Sequence, residues 1–145
     1  MESQALQPST HLDRHRRSLH PGVNEVRYPR IVSETNLPAE AIPQDIQRRI
    51  DTGEPLVLID VREPEEHAIT RIDGATLIPM RNIPANLQQL EARADDATLI
   101  VFCHHGVRSL NVVSWLRQQG VDACQSMAGG IDAWSTLVDP SVPRY

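Results

Sequence analysis

The stretch LIVFCHHGVRSLNVVSWLRQQG, residues 99–120, decides the fold. Its four apolar residues are typical of a strand that is buried on both faces, and the run stops at Cys103. A helical pattern follows from Ser109 to Gln119, and Gly120 is a common helix terminator. A buried strand followed at once by a helix indicates an α/β domain with a mainly parallel sheet.

The same alternation continues on both sides of this stretch. Together the segments predict one α/β domain over residues 37–145, with a central, mainly parallel sheet and helices on both faces. The predicted strands are 56–61, 74–79, 98–102 and 122–127; the predicted helices lie within 42–53, 63–69, 82–92, 109–119 and 129–137. The proline-broken stretch 138–145 is expected to be extended.

Residues 1–36 differ from the rest, because they are polar and show no sustained period. We expect a flexible or loosely docked N-terminal extension. His11 and His15 have the i, i+4 spacing of a helical metal site, but no cysteine or carboxylate cluster accompanies them. We interpret them as solvated histidines and predict no metal site.

Composition excludes several functions. The net charge is −5 and only five residues are aromatic, so nucleic acid is not an expected partner. The chain has no lysine, which excludes a Schiff base and a phosphate-loop lysine. No apolar run approaches the roughly 18 residues of a membrane helix. Two cysteines make no disulfide framework, so we expect a cytoplasmic protein.

Cys103 follows a strand at the edge where sites form in parallel sheets, and so does Asp60. A thiol attacks as its thiolate, which needs nearby positive charge. The helix start near Arg108 supplies free N–H groups, a dipole and a guanidinium. Gly106 permits a turn that aims N–H groups at the sulfur. Cys103 is therefore a candidate nucleophile, whereas Cys124 is expected to be an inert core residue.

Two known chemistries use a thiolate in a loop that ends in arginine before a helix. Tyrosine-specific phosphatases have five residues between cysteine and arginine, and this chain has four between Cys103 and Arg108. The tighter ring suits a single terminal sulfur better than a tetrahedral oxyanion.

Four motifs in this order resemble the rhodanese family of sulfurtransferases. They are LIDVREPEEH (58–67), RIDGATLIP (71–79), CHHGVRS (103–109) and MAGGIDAW (127–134). The resemblance runs from about residue 41 onward and is greatest to single-domain rhodaneses and to rhodanese domains fused to activating enzymes for sulfur carriers. The chain departs from the family at His67, where an aromatic residue is common, and at Thr70–Arg71, where Gly-His is common.

The resemblance implies a sulfurtransferase that works through a Cys103 persulfide. The donor would be thiosulfate or a persulfide, and the acceptor cyanide, a thiol or a sulfur-carrier protein. No cofactor or metal is implied. The residues that match the family's site are Cys103 as nucleophile, His104, His105, Gly106, Val107 and Arg108 as the binding loop, and Asp60, Arg62 and Ser109 as supporting residues.

Individual roles within this set stay open. Asp60 and Arg62 either brace the loop or serve as a general motif of the fold, and Arg108 either contacts the anionic substrate or only ties the loop down. We expect His104 and His105 to shape the mouth. Gly129 and Gly130 are interpreted as structural and Trp134 as a core residue.

Two alternative functions are weighed against the sulfurtransferase. One is a phosphatase or arsenate reductase on the same fold; the other is a non-catalytic rhodanese module used for docking. The retained Cys103 argues against docking. The leading hypothesis requires that the Cys103 side chain reaches solvent and that the loop N–H groups point at its sulfur.

Overall fold

The computed structural model describes residues 36–145 of the 145-residue chain. The expected N-terminal extension therefore lies outside the described residues except for Asn36, and so do His11 and His15. Within the described part, no helix is long and apolar enough to cross a membrane.

A five-stranded, wholly parallel sheet forms the centre of the domain. The strands are β1 (Glu40–Ala41), β2 (Leu56–Asp60), β3 (Thr76–Leu77), β4 (Thr98–Phe102) and β5 (Cys124–Met127). They lie in the order β1-β5-β4-β2-β3, so β4 is in the middle. Because residues 99–102 are apolar and fully buried, this central strand needs cover on both faces.

The helices provide that cover. They are α1 (Pro43–Asp51), α2 (Pro64–Ile69), α3 (Leu87–Ala94), α4 (Val107–Gln118) and α5 (Gly130–Leu137). Successive side chains of a strand point to opposite faces. Leu99 and Val101 join a core cluster with α3 and α4, whereas Ile100 and Phe102 join a second cluster with α1 and α5. The predicted α/β class with helices on both faces is confirmed.

Local boundaries differ from the sequence prediction in several places, and the strand predicted over 122–127 begins only at Cys124. β1 was not predicted, because a two-residue strand leaves almost no pattern. The segment predicted as one helix over 82–92 begins instead with two 3₁₀ turns, Met80–Asn82 and Pro84–Asn86. Pro84 has no N–H to donate within an α-helix. The predicted strand over 74–79 contains only the two residues of β3, and α4 begins at Val107 rather than Ser109.

The segment after α5 is not simply extended. Val142 donates its N–H to the carbonyl oxygen of Asp139 at 3.1 Å, which closes a turn. The Val142 side chain is buried in the cluster beneath α1 and α5. The chain then runs back towards the carboxyl edge of the sheet, where Tyr145 contacts residues that follow β2 and β4.

Candidate active site

Cys103 directly follows β4, and Asp60 ends the neighbouring strand β2. The register pairs Asp60 with Phe102, so the two positions meet at the carboxyl edge of the sheet. Parallel strands bring the chain segments that follow them to this edge, where ligands bind in open α/β folds. The two candidate residues named from the sequence therefore lie at one end of the domain.

The loop after Cys103 turns main-chain N–H groups onto the sulfur. The N–H of Gly106 donates to Cys103 Sγ at 3.1 Å, and the N–H of Ser109 donates to it at 3.4 Å. The Ser109 hydroxyl also lies 3.4 Å from the sulfur. Because Ser109 lies in the first turn of α4, the sulfur faces the positive end of that helix. These groups favour negative charge on Cys103 Sγ.

Glycine is required at position 106 for two reasons. Its φ is +103°, a conformation that residues with a Cβ rarely adopt. A Cβ there would also lie 3.2 Å from the main-chain nitrogen of Gly129 and 3.4 Å from the carbonyl oxygen of Met127. The turn that aims the Gly106 N–H therefore depends on the absence of a side chain.

The start of α5 holds the other side of the loop. Ile131 and Asp132 donate their N–H groups to the carbonyl oxygens of Cys103 and His104, at 2.9 and 3.1 Å. A Cβ at Gly130 would approach these carbonyls to 2.3–2.5 Å, so only glycine fits. This contact gives a physical reason for the interpretation of Gly130 as structural.

Arg108 is paired rather than free. Its guanidinium donates to both carboxylate oxygens of Glu66, at 2.8 and 2.9 Å. The bond from Arg108 is the largest cause that lowers the pKa of Glu66 to about 2, and the pair raises the pKa of Arg108 in turn. The charge of Cys103 also contributes to the rise for Arg108. Glu66 thus fixes the arginine beside the loop.

Asp60 and Arg62 form a fully buried ion pair behind this contact. Arg62 Nε donates to Asp60 Oδ1 at 3.0 Å, and Arg62 Nη2 donates to Oδ2 at 2.8 Å. The same guanidinium also donates to the carbonyl oxygens of Glu66 and Thr70, at 3.2 and 2.6 Å. The pair therefore holds α2 against β2, and through Glu66 it supports Arg108.

The candidates His104, His105 and Val107 lie on the outside of the loop, whereas Ser109 is buried. His104 is partly buried, whereas His105 and Val107 are exposed. The His104 ring packs against the His105 ring with centroids 3.8 Å apart. Ser109 extends its contacts inward, because its hydroxyl lies 2.8 Å from that of Ser126 on β5.

Access to the sulfur differs from the sequence expectation. The N–H groups point inward as the hypothesis requires, but only 1% of Cys103 is exposed. A cavity of about 490 Å³ between α1, α5 and residues 70–73 is lined by none of the loop residues, so it gives no route to the thiol. The expectation of an open side chain was wrong for this conformation, in which the N–H groups of Gly106 and Ser109 lie against the buried sulfur.

Two side chains that contact the loop residues were missed by sequence reasoning. Glu66 is the third residue of α2 and lies in its first turn. An acidic residue is common there in any helix, so no signal marked Glu66 as the partner of Arg108. Tyr145 stacks on His104 at 3.9 Å and donates its hydroxyl to Glu66 at 2.8 Å. Its position depends on the turn at 139–142, which a local pattern does not reveal.

One group near the mouth has metal-ligand chemistry. Ligand atoms of His104, His105 and Asp132 lie within 4.8 Å of one another. Asp132 already forms an ion pair with Arg144, whose Nε lies 2.8 Å from Asp132 Oδ1. A metal that used Asp132 would have to displace the guanidinium of Arg144 from its carboxylate. We therefore assign no metal to this group.

A scan against family models identifies residues 42–137 as a rhodanese-like domain. The chain belongs to the rhodanese-like domain family. The matched segment includes the loop, α2 and the start of α5, which are the parts that surround Cys103.

Relatives of this rhodanese-like chain carry sulfurtransferase names. It is 35% identical to the probable adenylyltransferase/sulfurtransferase MoeZ of Mycobacterium tuberculosis over 71% of this chain, which spans about a quarter (26%) of that protein. It is 30% identical to a sulfurtransferase of Allochromatium vinosum, over 63% of this chain and 83% of that protein. The structure of the human single-domain sulfurtransferase TSTD1 superposes with a TM-score of 0.61 at 25% identity, over 70% of this chain and 98% of that one.

Proposed function

We propose that this protein is a sulfurtransferase that carries a sulfur atom on Cys103. One observation carries the proposal: the N–H groups of Gly106 and Ser109 point at Cys103 Sγ at the start of α4. The family and the names of the relatives support the same reaction class.

The first half-reaction loads the cysteine. The Cys103 thiolate attacks the outer sulfur of thiosulfate, a new S–S bond forms, and the S–S bond of thiosulfate breaks. Sulfite leaves with the bonding electron pair, and the negative charge passes to the terminal sulfur of the persulfide. With a persulfide donor the same attack releases a thiolate. This is covalent catalysis, so ping-pong kinetics are expected.

The second half-reaction unloads it. Cyanide or the thiolate of an acceptor attacks the terminal sulfur, and Cys103 Sγ leaves as the thiolate. The loop N–H groups stabilise the anion in both states, as an oxyanion hole does. The Glu66–Arg108 pair keeps the positive charge of the arginine at the end of the loop.

A phosphatase is the weaker candidate. Phosphoryl chemistry on a cysteine loop needs an arginine that turns its guanidinium onto the phosphate oxygens, and both Arg108 nitrogens that bond here face Glu66. The shorter Cys103–Arg108 interval also argues for a smaller ring. Nothing in the site favours a docking module, because the nucleophile and its donors are present.

The partners and the compartment are part of the proposal. The donor is thiosulfate or a persulfide, and the acceptor is cyanide, a small thiol or a sulfur-carrier protein, acting in the cytoplasm. The carrier is included because MoeZ joins its sulfurtransferase name to an adenylyltransferase name, although this chain spans only 26% of that protein. No cofactor is needed for either half-reaction.

The test is the mass of the protein after incubation with thiosulfate and removal of the excess. We expect a gain of one sulfur atom, about 32 Da, that cyanide removes, because the intermediate is covalent. Cys103→Ser should lose the gain, and Cys124→Ser should keep it, because Cys124 is fully buried in the core. A gain that persists in Cys103→Ser, or turnover of a chromogenic phosphate ester by the wild type instead, would overturn the assignment.

A further inference from the structure

Tyr145 joins two parts of the loop that are otherwise separate. Its ring stacks on the ring of His104, with centroids 3.9 Å apart and planes 6° apart. Its hydroxyl donates to Glu66 Oε1 at 2.8 Å and accepts from Arg62 Nη1 at 3.1 Å. Since Glu66 holds Arg108, the Tyr145 side chain restrains both His104 at the start of the loop and Arg108 at its end.

Three contacts bring Tyr145 to this position. The Val142 side chain is buried in the core, and the Ser135 hydroxyl donates to the Val142 carbonyl oxygen. Arg144 forms an ion pair with Asp132 at 2.8 Å, at the start of α5. The segment is therefore fixed on both sides of Pro143, and these contacts place Tyr145 beside the loop.

The hydrogen bonds of Tyr145 are consistent with the charges around it. Burial raises the pKa of its phenol, so the hydroxyl keeps its proton at neutral pH and donates it. The pKa of Glu66 is lowered to about 2, so its carboxylate is an acceptor over the whole working range. The contact is a bond to a charged group, which is stronger than one between neutral partners.

We propose that Tyr145 is a positioning residue that controls access to Cys103 and disfavours bulky sulfur donors. Cys103 is 1% exposed, His104 and Arg108 belong to the loop around it, and Tyr145 restrains both through the stack on His104 and the bond to Glu66. Without that restraint the loop side chains move apart more easily and bulkier donors reach the thiol. The selection of donors rests on the proposed sulfurtransferase function, whereas the control of access does not.

Two substitutions separate the contacts. Tyr145→Phe keeps the stack on His104 and removes both hydrogen bonds; Tyr145→Leu removes the stack as well. Ser141→Ala is the matched control, because Ser141 lies in the same segment and its side chain bonds only to Asp139 among the described contacts. Circular dichroism and melting temperature would establish that each variant is folded.

The first readout is the alkylation rate of Cys103, followed by mass spectrometry of its peptide, with iodoacetamide as the small reagent and N-ethylmaleimide as the bulkier one. We expect Tyr145→Leu to raise the maleimide rate about tenfold and the iodoacetamide rate less, and Tyr145→Phe to raise the maleimide rate about threefold, from the loss of bonds to charged groups. Ser141→Ala should match the wild type.

The second readout is kcat/KM with thiosulfate and with glutathione persulfide, a bulkier donor. Tyr145→Leu should raise the ratio of persulfide to thiosulfate, with the change in KM rather than kcat, which a loss of stability alone would not produce. Wild-type alkylation rates in folded Tyr145→Phe and Tyr145→Leu, or an equal rise in Ser141→Ala, would overturn the proposal. If the wild type takes up no sulfur, the proposed function fails, but alkylation still decides the role of Tyr145.

Discussion

Three kinds of group act on a single sulfur atom at the candidate site. Cys103 Sγ receives two main-chain N–H groups, the Ser109 hydroxyl lies beside it, and Arg108 contributes charge from a distance fixed by Glu66. The main-chain groups depend on conformation rather than on side-chain chemistry. Glycines therefore matter here as much as the charged residues.

Gly106→Ala should reduce sulfur uptake and stability together. The new Cβ meets the Gly129 nitrogen at 3.2 Å, and the positive φ is strained for alanine. We expect a loss of about 1–3 kcal/mol in the free energy of unfolding, because strained φ values cost this much. Uptake should fall at least tenfold, because the Gly106 N–H moves off the sulfur. Urea unfolding and the mass gain with thiosulfate measure the two effects.

Gly53→Ala is the matched control for that prediction. Gly53 also has a positive φ, +82°, but nothing lies within 4 Å of its missing Cβ. It should show the conformational cost alone and keep full sulfur uptake. Equal loss of uptake in the two variants would contradict the geometric role assigned to Gly106.

At the scale of elements, α2 connects the buried core to the loop. The Asp60–Arg62 pair holds its carbonyl groups from below, and Glu66 reaches from it to Arg108. The sequence pattern predicted this short helix from Pro64, but it did not predict which face carried a functional contact. That information lies in the distance between α2 and α4, which only the packed structure sets.

We expect the free energy of unfolding to fall at acid pH because of Glu66. Its folded pKa is about 2, below the ordinary 4.5, and its side chain is 21% exposed. A group whose pKa falls on folding stabilises the protein above its unfolded pKa, and this is lost as pH falls towards the folded value. Between pH 5.5 and 2.5, the free energy of unfolding of the wild type should therefore fall by about 2 kcal/mol more than that of Glu66→Gln. This figure is smaller than the full pKa shift would give, because the side chain is partly exposed to solvent.

Urea unfolding over that pH range measures the difference, and Glu65→Gln is its control. Glu65 lies on the same helix and is exposed, so its replacement should leave the acid dependence of the wild type unchanged. Parallel acid curves for the wild type and Glu66→Gln would show that the ion pair with Arg108 does not form in solution.

At the scale of the whole molecule, local pattern predicted the architecture and missed the closure of the site. The strands β2 and β4 have continuous apolar runs of four residues, so composition and length indicated them. The same pattern placed Cys103 at the carboxyl edge. β1 has no local signature, because it pairs with residues more than 70 positions away. The position of Tyr145 has none either, because it combines the turn at 139–142 with contacts to the distant residues Arg62 and His104.

The folded unit that supports the site begins before α1. β1 completes the sheet beside β5, since Ser126 and Ala128 donate their N–H groups to the carbonyl oxygens of Ala39 and Ala41, at 2.8 and 2.9 Å. Ser126 in turn contacts Ser109 beside the sulfur. The segment immediately before α1 is therefore part of the unit that supports the site.

We predict that a chain beginning at residue 36 keeps the melting temperature and sulfur uptake of the full chain. It retains β1, the loop and Tyr145, which are the contacts that support Cys103. A chain beginning at Pro43 should melt lower by about 4–8 °C or more, because the N–H groups of β5 lose their partners and each lost bond costs about 1 kcal/mol in a domain of this size. Calorimetry and the mass gain compare the three chains. Loss of uptake on removal of residues 1–35 alone would show that the extension contributes to the site, and the domain would then have to be drawn to include it.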